Sequence, residues 1–299
     1  FEIIEIGAVK LNSRMEIVDT FEELIRPQVY DTMHHITEKL IGIHMKDLSG
    51  CRTFDVVMKD FLAWCGEDFM FGTWGPQDLT ELQKNMRFFG MEPLGKGPVR
   101  FYDIQKLFSI AYEDQKVRRS LEYAVDYLQI PKDIPFHRAI SDAVYTARVF
   151  QMIKDPIALQ RVSFDTFQLP ENHRSEVHVV FDNYAKYISR LFPDKEALMA
   201  DKEVLSTRCY LCHHNLRKKV RWFSPNGKHY YSLSWCDKHG WMKGKIRVKK
   251  AEDDMVYAVK TTKLVGEKEV AALMERKDHI RQLRKEHRHR EAQEKLGKR

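Results

Sequence analysis

The run Phe1-Glu-Ile-Ile-Glu-Ile-Gly-Ala-Val-Lys-Leu11, then Asn12-Ser-Arg14, then Ile17-Val-Asp-Thr-Phe-Glu-Glu-Leu-Ile25, decides the fold of the first half of the chain. Apolar, Ile- and Val-rich runs on either side of a polar turn read as a β-hairpin, and Pro27 ends its second strand. Residues 36–43 and 45–48 read as short helical pieces. Val56, Val57, Phe61, Leu62 and Trp64 then fall at helical spacing behind Thr53, a residue type suited to capping a helix N-terminus. Strand signals return at 69–74, before Gly75-Pro76, and at 99–102; helix signals follow at 78–89, 104–112, 120–128 and 141–153. Strands that alternate with helices make residues 1–155 an α/β domain, with Asp155-Pro156 as its expected boundary.

At 299 residues and 43% hydrophobic side chains, the chain suits about two domains and excludes wholesale disorder. No stretch approaches the ~18–20 uninterrupted apolar residues that cross a bilayer, and no basic and apolar leader opens it, so a soluble, cytoplasmic protein is expected. The five cysteines are an odd number: Cys209, Cys212 and Cys236 fall together, while Cys51 and Cys65 stand apart, which is no disulfide framework. Residues 205–299 carry 25 basic and 11 acidic side chains, a net of +14, which leaves −7 for the first 204. The asymmetry suggests that one half supplies affinity for a polyanion, for which phosphate backbones are the obvious choice, while the other does something else; the alternative is a solvated, merely basic surface.

Between the two, 156–205 reads as a helical connector, because Val179, Val180, Tyr184, Tyr187, Ile188 and Leu191 sit roughly at helical spacing. From 206 to 265 the texture is of short strands. The turn Pro225-Asn-Gly227 between two strand-like runs signals a hairpin, and two further strands cover 245–249 and 256–264. Residues 267–296 hold neither Gly nor Pro and form a charged helix, so 266–299 is a basic helical tail.

Two groupings carry chemistry. His137-Arg-Ala-Ile-Ser-Asp142-Ala-Val-Tyr-Thr-Ala147 puts an imidazole on a Pro-flanked loop and a carboxylate at a helix start, with Ser141 as the expected N-cap. Asp78 follows a buried strand and Trp74-Gly-Pro. Each alone reads as a cap or a braced loop. Cys209-Tyr-Leu-Cys212 and Cys236-Asp-Lys-His239, separated by the Asn-Gly hairpin, have the spacing of a zinc ribbon, a closed four-ligand site for structural Zn²⁺. His213 and His214 are substitutes for His239 that fit the knuckle less well.

Glu-Ile-Ile-Glu-Ile-Gly-Ala-Val, Trp74-Gly-Pro-Gln-Asp78 and His137-x-Ala-x-x-Asp142-Ala, in this order, resemble the DEDDh family of 3′–5′ exonucleases over residues 1–153, with 36–43 and 120–128 adding to the likeness. The resemblance implies a ribonuclease-H-like mixed sheet flanked by helices, followed here by the small zinc-ribbon-like β domain and the charged C-terminal helix. It implies a two-metal hydrolysis of phosphodiesters with two Mg²⁺ or Mn²⁺ ions, in which Asp78 and Asp142 match two metal-holding acids and His137 the general base. The family's first motif, Asp-x-Glu, has no counterpart in the chain, whose expected place for it lies before Phe1; taken literally, the chain alone is expected to be poorly active. Glu2 and Glu5 read as exposed strand positions.

Around the cysteines lie Arg217-Lys-Lys-Val-Arg-Trp222, Lys228-His-Tyr-Tyr231 and Trp241-Met-Lys-Gly-Lys-Ile-Arg-Val-Lys-Lys250. Cations interleaved with aromatics suit single-stranded DNA or RNA, and Lys243, Lys245, Arg247, Lys249, Lys250 and, in the first domain, Trp74 are the candidate contacts. The expected function is therefore a 3′–5′ exonuclease that releases 5′-mononucleotides from a single strand, with no membrane partner. The alternative is a non-catalytic, zinc-containing nucleic-acid-binding protein that keeps the fold without the chemistry.

Overall fold

The computed structural model describes residues 2–113 and 117–297, which fall into two compact units, Phe1–Gln168 and Leu169–Arg299. In the first unit the elements are β1 (Glu5–Leu11), β2 (Ile17–Arg26), α1 (His35–Ile41), α2 (Met45–Leu48), β3 (Arg52–Thr53), α3 (Phe54–Cys65), β4 (Phe71–Thr73), α4 (Gln77–Phe88), β5 (Val99–Asp103), α5 (Ile104–Tyr112), α6 (Leu121–Tyr127), α7 (Ala139–Met152), α8 (Pro156–Leu159) and β6 (Ser163–Asp165). β1 and β2 pair antiparallel with Glu5 opposite Leu24, and β3 adds in parallel to the end of β2. β4 and β5 run parallel and β6 closes a second three-stranded sheet antiparallel, so strand directions are mixed as the α/β reading requires.

Apolar faces explain where the helices lie. Phe54, Val57, Met58 and Phe61 of α3 meet Leu82 and Met86 of α4, with Ile6 and Ile25, in one buried cluster. Ile104, Leu107 and Phe108 of α5 meet Tyr145 and Val149 of α7 in the other. α7 crosses β1 at Gly7 so closely that a Cβ there would stand 2.1 Å from the Ile140 backbone nitrogen. Only glycine allows that approach, and it fixes the first turn of α7 against β1.

The unit runs past the expected boundary at 155, for a physical reason. Buried Asp165 on β6 accepts hydrogen bonds from Thr80 Oγ1 (2.9 Å) and Gln83 Nε2 (2.7 Å) of α4, so residues 156–168 belong to the first unit.

The second unit holds β7 (Val177–Phe181), β8 (Tyr184–Ile188), α9 (Lys195–Ala200), β9 (Arg217–Phe223), β10 (His229–Cys236), β11 (Gly240–Lys250), β12 (Val256–Leu264) and α10 (Glu267–Gly297). The expected helix over 177–192 is a β-hairpin instead, with Val177 opposite Ile188 and Phe181 opposite Tyr184. Its aromatic and β-branched residues favour a pleated surface, and Asp182-Asn183 is turn chemistry between them. Residues 156–205 are thus no helical connector, and the zinc-ribbon segment is no separate domain: the strands form one antiparallel sheet in the order β7-β8-β12-β11-β10-β9. The Asn-Gly turn is as expected, with Gly227 at φ 71° and Asn226 Oδ1 accepting from the N–H groups of Lys228 and His229 (3.1 and 2.9 Å). α10 covers part of one face, Val270 and Leu273 packing with Val220, Tyr231 and Leu233. On the other face Lys260 is buried, its ammonium held by the Glu203 carbonyl (2.6 Å) and 4.8 Å from the Tyr187 ring, and burial lowers its pKa to about 8.

Gly7→Ala is expected to cost about 2–3 kcal/mol, because overpacking backbone against backbone has no side chain to give way. Urea denaturation checks it, and a parent-like midpoint would show that α7 can move off β1.

Candidate active site and metal-binding cluster

Asp78 is the second residue of α4, just beyond β4 and the turn Trp74-Gly75-Pro76, where Gly75 takes φ 99°. Asp142 lies in the first turn of α7. His137 precedes that helix with φ 71°, a left-handed backbone that aims its N–H at Asp142 Oδ1 (3.2 Å). His137 and Asp142 are thereby tied to each other. Although the Asp78 side chain reaches solvent, surrounding protein desolvates the carboxyl and the Asp142 charge adds to this, so its pKa is pushed up to about 6. Burial also raises Asp142, with Glu5 adding to it and His137 opposing. Two mutually repelling carboxylates partly withdrawn from water are a donor set that a hard divalent cation would relieve.

Ser141 is not the N-cap. It is buried as the third residue of α7, and Arg138 stands at the cap position without a side-chain cap bond. The work is done from β1: Glu5, its side chain only 8% exposed, accepts the Ala139 N–H (3.2 Å) and pairs with Arg138 (2.8 Å), which also reaches Glu22. Glu5 is therefore no exposed strand position, and Glu2 likewise holds a loop, accepting from the N–H groups of Val29 and Tyr30 (3.0 and 3.2 Å). The sequence signal for Glu5 was a carboxylate in an apolar strand two residues before a glycine, and its partner lies 133 positions away. Trp74 packs rather than projects: its ring lies 6.2 Å from Phe108 and its indole N–H donates to the Arg119 carbonyl (3.2 Å).

In the second unit Cys209, Cys212, Cys236 and His239 bring one donor atom each within 4.8 Å of all the others, which no other group of three or more His, Cys, Asp or Glu does among the described residues. Cys212 and Cys236 sulfurs lie 3.6 Å apart, and His239 Nδ1 lies 3.5 Å from both Cys209 and Cys236. Tetrahedral zinc, with Zn–S of about 2.3 Å and Zn–N of about 2.0–2.1 Å, requires roughly 3.8 Å between sulfurs and roughly 3.5 Å from sulfur to nitrogen. The donors fit. Burial works against ionisation of Cys236, but the backbone N–H groups of Lys238 and His239 and the His239 ring outweigh it and lower its pKa to about 6. His214 Nδ1 turns instead to the Cys212 carbonyl (2.8 Å), so His239 is the fourth donor. Cys209, Cys236 and Met242 share a small core, which makes the cluster part of the sheet's packing.

Of the candidate nucleic-acid contacts, Lys243 is answered by Glu269 (3.6 Å), Lys250 by Asp254 (3.5 Å), and Lys249 sits 5.7 Å from the Tyr257 ring. Lys245 and Arg247 project from β11 with no carboxylate partner among the described residues.

The profile of the exonuclease family, RNase T type, matches residues 1–150, half of the chain. This chain belongs to the exonuclease family. Among its relatives, the human (Homo sapiens) 3′-5′ exoribonuclease 1 is 24% identical over 171 residues, covering 53% of this chain and 48% of that protein. A PolC-type DNA polymerase III from Listeria monocytogenes is 25% identical over 163 residues, covering 54% of this chain and 11% of that protein. The chain thus spans about half the length of the exoribonuclease and a ninth of the polymerase. Solved structures with a similar outline include the nuclease domain of 3′hExo, a DEDDh family member, bound to rAMP (TM-score 0.48, 23% identity, 54% of this chain and 85% of that one). Another is a 3′-exonuclease in 3′-end specific recognition of a histone mRNA stem-loop (TM-score 0.48, 20% identity, 56% and 64%). The first unit of this exonuclease-family chain is a mixed α/β fold of strands flanked by helices, and no helix among the described residues is long and apolar enough to cross a membrane.

A carboxyl whose pKa is higher folded than unfolded binds its proton more tightly in the folded state, so its contribution to stability falls as pH rises from about 4 to about 6. Metal-free Asp78→Asn is therefore expected to match the parent near pH ~4 and to exceed it in stability near pH ~7. Thermal denaturation across that range checks this; a pH-independent gap would contradict it.

Proposed function

We propose that the protein is a 3′–5′ exonuclease acting on single-stranded nucleic acid and releasing 5′-mononucleotides, with the second unit as a zinc-stabilised module that grips the strand. The observation that carries the catalytic half is the joint placement of His137 and Asp142 on one turn, with Asp142 close enough to raise the neighbouring Asp78 carboxyl. Asp78 and Asp142 would supply oxygen ligands for a pair of Mg²⁺ or Mn²⁺ ions, whose chemistry would be to stabilise charge on the attacking and departing oxygens. His137, exposed and fixed at its backbone, takes a proton from the attacking water. The water oxygen bonds to the phosphorus of the last phosphodiester as its bond to the penultimate 3′-oxygen breaks, that oxygen takes up a proton from solvent, and the terminal nucleotide leaves as a 5′-monophosphate. Glu5 and Arg138 keep the loop that carries His137 against β1. Three metal-holding thiols need reducing surroundings, which supports a cytoplasmic site of action.

The alternative is a non-catalytic, zinc-containing nucleic-acid-binding protein that keeps the exonuclease fold. Oligonucleotides labelled at either end and incubated with Mg²⁺ or Mn²⁺ decide between the two. In the active protein His137→Ala is expected to slow turnover by roughly 10²–10⁴-fold while sparing strand binding, and excess Mn²⁺ should partly rescue Asp142→Ala but not the histidine variant. Full activity in well-folded His137→Ala would overturn the assignment.

The purified protein is expected to hold about one zinc per chain through dialysis against magnesium buffer, with Cys209→Ser releasing it and loosening the β9-β10-β11 end of the second sheet. Elemental analysis that finds no zinc would end this part of the reading.

A further inference from the structure

β10 and β11 pair with His229 opposite Arg247 and Tyr231 opposite Lys245, so these four side chains share one face of the sheet. The His229 ring lies between Asn226 Nδ2 (3.3 Å from Nδ1) and Arg247 Nε (3.4 Å from Nε2). From α10, the Arg276 guanidinium stands 4.9 Å from the Tyr231 ring. Burial, then Lys245, Arg247, Arg276 and Lys228 together, lower the His229 pKa, so five basic side chains converge here from a turn, two strands and a helix. Among the described residues none of these cations has a carboxylate partner, whereas Lys243 and Lys263 share Glu269 and Lys250 has Asp254. A folded protein that pairs some of its cations and leaves four clustered around a neutral imidazole has left room for an external anion.

We propose that Lys245, Arg247, Arg276 and His229 form a phosphate-binding subsite that grips the backbone of a single strand beside α10. Arg247 spends its Nε on the His229 ring, which orients the guanidinium and leaves its two terminal nitrogens for phosphate oxygens, the bidentate geometry guanidinium favours. Arg276, steadied over Tyr231, closes the site from the helix side. Lys245, Arg247 and Lys249 recur on one face every second residue, a step of about 6.6 Å, so the face offers a row of charges to a polymer rather than one socket to a small ion. The proposal deepens the nucleic-acid half of the functional reading and needs none of the nuclease chemistry.

The test uses the full chain, a fluorescein-labelled 20-nucleotide oligo-uridylate, Ca²⁺ in place of Mg²⁺, no chelator, and anisotropy over a KCl series. Arg247→Gln and Arg276→Gln are each expected to weaken binding about 3–10-fold and to flatten the slope of log K against log salt by about 0.7, the double variant by about 1.4. Arg247→Lys should keep the slope while losing part of the affinity, which a merely structural role would not produce. Lys132→Gln, in the first unit and paired with Glu122 and Asp126, removes the same net charge and is expected to change neither. The proposal fails if the parent does not bind, or if the subsite variants, with zinc content and circular dichroism intact, behave like Lys132→Gln. Binding that follows this pattern upholds the subsite whether or not the protein cleaves the strand; hydrolysis with no effect of the variants on binding overturns the subsite and leaves the enzymatic reading standing.

Discussion

The approach of α7 to β1 is the constraint on which the candidate active site rests. A helix whose first turn touches a strand backbone-to-backbone can neither slide nor tilt, and Gly7 is what permits the touch. Glu5, two residues earlier on the same strand, faces the same helix end and neutralises it by accepting the Ala139 N–H and binding Arg138. Packing and electrostatics thus act within three residues of one strand to set where His137 and Asp142 stand. A histidine such as His137 in a left-handed backbone conformation persists only when its surroundings hold it there, and here the holding groups are identifiable.

Asp78 illustrates the cost of such a site. Placing a second carboxylate near Asp142 with no cation between them raises free energy in the absence of metal, and the protein tolerates it because α4 is anchored elsewhere, through Leu82 and Met86 in the core and Thr80 and Gln83 on Asp165. Stability near the chemistry is given up and recovered a turn or two away. Such a division is common where ligand affinity has to exceed that of water for the same groups.

Much of this was legible in the sequence because the signals were local. The hairpin at 5–26, the helix starts after Thr53 and Gly75-Pro76, the Asn-Gly turn and the Cys/His spacing each rest on residues within a few positions of one another. What was not legible depended on partners far along the chain. Glu5 looked like a solvent-facing strand residue until Arg138 came to it, and residues after 155 looked detached until Asp165 met α4. The segment 177–188 failed differently: its valines and tyrosines satisfy helical and strand periodicities together over so short a run, and only pairing with β12, where Ile188 meets Val259, removes the ambiguity. Trp74 depends on distant partners in the same way, its indole N–H reaching the Arg119 carbonyl 45 positions on and its ring lying 6.2 Å from Phe108.

Because Cys209, Cys236 and Met242 belong to one packed cluster, the candidate metal donors of the second unit are also part of its packing. Chemistry that consumes thiolates, such as peroxide oxidation to sulfenic acid or a disulfide between Cys212 and Cys236, whose sulfurs stand 3.6 Å apart, would expel the ion and undermine the sheet that presents Lys245 and Arg247. The carboxylates and histidine of the first unit have no such weakness. Oxidation would therefore disturb the face that carries Lys245 and Arg247 while leaving Asp78, Asp142 and His137 chemically as they were.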